Sequence, residues 1–111
     1  MKLLVLILNK VESLEPLLAK FAEIHINGAT ILNSTGMARA LSNYKDVSIL
    51  GSLRLILDPD REENRTILTV LPDEQVEMAI NCIEEVVGDL DRPDTAIVFT
   101  MPIDQIRGLH A

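Results

Sequence analysis

The stretch Asn33–Lys45, NSTGMARALSNYK, places a glycine, a small residue and an arginine within four positions directly after an apolar, strand-like run. Consecutive backbone N–H groups in a turn form a concavity that suits an anion, and a guanidinium adds a forked donor. Gly36, Met37, Ala38 and Arg39 therefore form the candidate ligand-binding turn. The competing reading is a plain turn with Arg39 as a solvated surface residue.

Other reactive residue types are sparse. The single cysteine, Cys82, lies in the helix-like run MAINCIEEV with no histidine near it in sequence, which suits a buried thiol in a reducing compartment better than a nucleophile. His25 and His110 are the only histidines, and neither has metal-ligand spacing; His25 falls near a helix C-terminus, where an imidazolium meets a favourable dipole. No nucleophile constellation stands out, so no catalytic residues and no enzyme activity are expected, and no metal or required cofactor.

Ten Lys plus Arg against seventeen Asp plus Glu give a net charge of −7 over 111 residues. That balance disfavours nucleic-acid binding by broad phosphate neutralisation. With 48% hydrophobic but only 3% aromatic residues, the core must be built from Leu, Ile and Val. The length suits one domain, residues 1–111. The opening MKLLVLIL is too short to span a bilayer and lacks a signal-peptide pattern, so a cytoplasmic protein without membrane insertion is expected.

The elements that must position the turn follow from periodicity. KLLVLIL reads as a strand buried on both faces, and VESLEPLLAKFAEIH as a helix capped by Ser13 and followed by Gly28. ATILN and RTILTVLP read as strands, PDEQVEMAINCIEEVVG as a second helix begun by Asp73 and ended by Gly88, and DTAIVFTMP as the last strand. The order is βαββαβ, an α+β ferredoxin-like split βαβ fold with two helices on one face of an antiparallel sheet. An extra helix is expected in the β2–β3 connection, where Ile49, Leu50, Leu53, Ile56 and Leu57 share a helical face. Strands this apolar need cover on the other sheet face, so an oligomer packing sheet against sheet is expected.

Several stretches resemble the PII signal-transduction family, in the family's order. AEIHINGATILNSTGMAR, Ala22 to Arg39, aligns without gaps with its typical AEIGVQGMTVTEVKGFGR; MKLLVLI is similar to MKLVTAII, TVLPDEQVEMAI to VVVPDDRVDEVI, and IVFTMPIDQI to KIFVLPVEEV. The resemblance implies a homotrimer whose inter-subunit clefts bind an adenine nucleotide as effector and whose long loop regulates a target protein, an enzyme or transporter. It also implies that Thr30 touches the base, and that Gly36, Met37, Ala38 and Arg39 hold the phosphates.

The chain departs from that family at defined points. Ala38 replaces a second glycine, so a different turn geometry is expected. The family's lysine before the last strand falls at Ile97, and its two C-terminal arginines fall at Gly108 and His110; Arg54, Arg92 and Arg107 are the available substitutes. Tyr44, the only tyrosine, lacks the family's modification context. Two alternatives stay open: a ligand-free trimeric scaffold that has lost the nucleotide site, and a CutA-like metal-related trimer.

Overall fold

A computed structural model of the chain describes residues 1–41 and 63–109. Four strands, β1 (Lys2–Leu8), β2 (Thr30–Ser34), β3 (Asn64–Leu71) and β4 (Ala96–Pro102), form one antiparallel sheet in the order β2-β3-β1-β4. Three helices are described: α1 (Leu14–Glu23), α2 (Met37–Ala40) and α3 (Asp73–Val87). The architecture is α+β and compatible with a ferredoxin-like fold. The expected helix around Ile49–Leu57 lies outside the described residues.

β1 runs through the middle of the sheet, with Leu6 opposite Ile67 of β3 on one side and Val98 of β4 on the other. Side chains alternate across a strand, so Leu4, Leu6 and Leu8 point one way. All three are fully buried and join Leu17 and Phe21 of α1 with Ala79, Cys82, Ile83 and Val87 of α3 in a single core. The two long helices therefore cover this face together. Few aromatic rings are needed, because Leu and Ile from the sheet interleave with one helical stripe from each side.

The polypeptide turns into and out of α1 differently from the sequence expectation. A single 3-10 turn, Val11–Ser13, precedes the helix, and Ser13 makes no side-chain capping hydrogen bond. Its backbone is already in the right-handed helical region, at φ −85° and ψ −5°. A capping serine needs an extended backbone to reach back to the first N–H groups.

At the other end, His25 rather than Gly28 takes the left-handed position, with φ 67°. The N–H of His25 donates to the carbonyl of Ala22 at 3.1 Å, and that of Ile26 to the carbonyl of Phe21 at 2.8 Å. This paired pattern is a Schellman closure. It swings Ile26 into the core, where it is only 5% exposed.

α3 is bounded more simply. Asp73 opens it without a side-chain cap, 3.0 Å from the amino group of Met1, and this hydrogen-bonded ion pair holds the Asp73 carboxyl below its usual range. Gly88 closes it with φ 101°, a conformation open to glycine. Lys10 adds its ammonium to the carbonyl of Val87 at 3.2 Å, satisfying an acceptor left over at the helix end.

Candidate functional site

The turn after β2 is a short helix, not a left-handed nest. Gly36 flanks α2 in extended backbone, φ −76° and ψ 162°, and no side chain caps the first turn. Ala38 lies inside the helical turn, and none of residues 36–39 has a positive φ. Alanine at 38 is thus compatible with its backbone, which answers the departure noted in the sequence. Gly36 carries no conformational demand for glycine either. A Cβ there would meet Asn64 Nδ2 at 3.6 Å, an ordinary contact.

Met37 is 75% exposed at the tip of this turn, while Arg39 is half-buried and already engaged in an interaction. Thr30, the remaining candidate, is the exposed first residue of β2. Six residues of extended chain separate it from Gly36, about 20 Å at 3.3 Å per residue. One copy of the chain does not bring Thr30 and the Gly36–Arg39 turn together.

Thr30 instead lines a groove of about 540 Å³ between the α1–β2 connection and the end of β3. His25, Asn27, Gln75 and Leu109 line it as well. β3 runs three residues past its pairing with β2, since Thr30 lies opposite Leu68 while β3 continues to Leu71. The connecting segment is held there by Thr69, whose hydroxyl donates to the carbonyl of Gly28.

The face of the sheet opposite the helices is predominantly apolar. By register and alternation, Leu3, Val5 and Ile7 of β1, Leu32 of β2, Leu68 and Val70 of β3, and Ile97, Phe99 and Met101 of β4 share it. Ile97 is 56% exposed, Leu32 47%, Met101 44% and Phe99 43%, and no helix among the described residues covers them. Four strands of about seven residues project roughly 450 Å². A contiguous apolar patch of that size usually serves an interaction. None of the described strand residues on this face is ionisable, because Lys2 and Arg65 alternate to the other one.

One end of the face is polar. The Ser34 hydroxyl donates to Asn64 Oδ1 and lies 2.8 Å from the Thr66 hydroxyl, and Asn64 Nδ2 donates to Asn9 Oδ1 at 3.2 Å. Asn64 is only 7% exposed. This chain ties together the ends of β1 and β2 and the start of β3. Sequence reading missed it, because its members, Asn9, Ser34, Asn64 and Thr66, are scattered along the chain at or near strand ends.

The other reactive residues fall into structural roles. Cys82 is 6% exposed within the core, and burial, reinforced by the Glu85 carboxylate, pushes its thiol up from the usual cysteine range. His25 serves the helix closure. His110, Arg54 and Tyr44 lie outside the described residues. Arg92 and Arg107 are exposed in the turn after α3 and in the C-terminal segment. Ile97, at the family's lysine position, belongs to the apolar face. Among the described residues no three His, Cys, Asp or Glu side chains group to hold a metal ion, and no helix is long and apolar enough to cross a membrane.

No family model matches the chain, and no curated protein matches it.

Proposed function

We propose that the chain is a PII-like regulatory subunit with a ferredoxin-like fold: a homotrimer that takes a small anionic effector, such as an adenine nucleotide, in clefts between copies and so controls a protein target. The observation that carries the self-association is the apolar sheet face, which no helix among the described residues covers while the other face holds both long helices. The separation of Thr30 from the Gly36–Arg39 turn supports a shared cleft, since residues at opposite ends of β2 meet around one ligand only if two copies contribute. Effector control then requires the ligand to bind two states of its target-contacting surface with different affinity.

The apolar lining of β4 favours a second reading, a ligand-free trimeric scaffold. Ile97 stands where a cationic phosphate partner would otherwise be, and a charge-assisted hydrogen bond contributes about 1.5–3 kcal/mol. Light scattering with a thermal-shift screen separates the readings. A trimer stabilised by an adenine nucleotide, with the shift lost in Arg39→Ala, supports the regulator; a trimer silent to the ligand panel supports the scaffold. A monomer at micromolar concentration rejects both.

A further inference from the structure

We infer that the groove beside Thr30 is a seat for an extended peptide segment with an aliphatic side chain, and that the chain's own C-terminal segment, residues 103–109, takes it as a removable plug. The inference goes beyond the effector reading and does not need it, since groove and segment belong to one copy. The occupant is already on the molecule. Leu109 lines the groove of about 540 Å³ while 47% of its surface stays exposed.

The route of the segment explains how it arrives there. β1 separates β4 from β3, so the chain leaves the sheet at Pro102 about 10 Å, two strand spacings, from β3. Ile103 fastens the start of the segment by donating its N–H to the carbonyl of Met1 at 3.2 Å. Beyond it, no hydrogen bond or ion pair among the described residues ties residues 104–109 to the body of the fold. Gly108 takes a left-handed φ of 86°, which turns the chain immediately before Leu109. A segment fastened at one end and seated by one side chain at the other can leave without breaking the sheet.

The groove offers what such a segment needs. β3 runs on to Leu71 after its last β2 partner at Leu68, so β2 leaves this stretch of its edge open. An extended chain satisfies an open strand edge through its main chain and sets alternate side chains against the walls. Asn27, Thr30 and Gln75 add neutral hydrogen-bonding groups, and among the described residues no carboxylate lines the groove. That lining suits peptide groups and an aliphatic side chain rather than a metal cation. Thr30 stands in the same groove, so a ligand that fills the space around it displaces Leu109.

The test titrates the synthetic, amidated peptide IDQIRGL, residues 103–109, into the isotope-labelled full chain, wild type and Leu109→Asp, with NMR as the readout and circular dichroism to establish folding. In Leu109→Asp the peptide is expected to shift the amide signals of His25, Thr30, Val70 and Gln75 saturably. The wild type is expected to take it up several-fold more weakly, because its own tethered segment competes at an effective concentration in the millimolar range. The peptide carrying Leu109→Asp is expected to shift neither chain. Leu109→Ser decides the matter should Leu109→Asp fail to fold. An equal response of wild type and variant, or no saturable shift at these residues in the folded variant, would overturn the inference.

Discussion

The backbone N–H of Ile26 reaches back five residues to the carbonyl of Phe21 at 2.8 Å, and it can do so only because His25 between them is left-handed. A side chain with a Cβ is strained in that region, whereas glycine is not. His25→Gly relieves about 1–2 kcal/mol of left-handed strain against a backbone-entropy cost of about 0.5–1 kcal/mol, so a net stabilisation of about 0.5–1 kcal/mol is expected. Gly88→Ala, at φ 101°, is expected to destabilise by about 1 kcal/mol or more. Urea denaturation of the two variants measures opposite signs of one rule.

The two sheet faces separate stability from assembly. Leu6 is fully buried under the helices, so Leu6→Ala is expected to cost about 2–5 kcal/mol in urea unfolding. Phe99 is 43% exposed on the face opposite the helices. Phe99→Lys is expected to leave the circular-dichroism spectrum unchanged while light scattering falls to the monomer mass.

The turn can be tested without disturbing the fold. Gly36→Ala introduces only an ordinary contact with Asn64 and suits the existing backbone, so stability is expected to change by less than about 0.5 kcal/mol. A ligand that approaches the backbone closely there would be excluded by the new methyl group. Calorimetric titration with ATP should thus show weakened binding in Gly36→Ala as well as Arg39→Ala. Unchanged affinity in both would remove this turn as the effector site.

Cys82 sets a pH dependence. Its folded thiol has a raised pKa, mainly from burial, against about 8.5 for an unfolded cysteine. The unfolded state loses its proton first, so this contribution to stability is complete below the unfolded pKa and is lost as pH rises through the folded one. The urea midpoint should fall as pH rises above about 8.5 more steeply than in Cys82→Ala. Iodoacetamide should label Cys82 slowly in the native protein and quickly in urea.

Much of the scaffold was legible because apolar periodicity is a direct record of burial. KLLVLIL and the stripe from Val76 to Val87 each occupy the element that their spacing predicts. The boundaries moved where local chemistry had competitors: β2 begins at Thr30 rather than Ala29, and β4 at Ala96 rather than Asp94. The closure of α1 was hidden because His25 is an unusual left-handed residue and Gly28 the obvious candidate.

The candidate site was less legible. Gly36 to Arg39 are contiguous in sequence and share one turn, and the predicted strand ATILN already implied that Thr30 stands about a strand's length from them. The Asn9–Asn64 hydrogen bond joins positions 55 apart, and Ser34 meets Asn64 across 30. Such pairings depend on strand register, which single residues do not announce.

The Ser34–Asn64 bond also governs what kind of insert the sheet tolerates. It closes the base of the β2–β3 connection, so the two strand ends are already held together whatever runs between them. Each doubling of connection length then adds only about 0.6 kcal/mol of closure entropy. Lengthening the chain between these two strand ends is therefore expected to cost the sheet little stability.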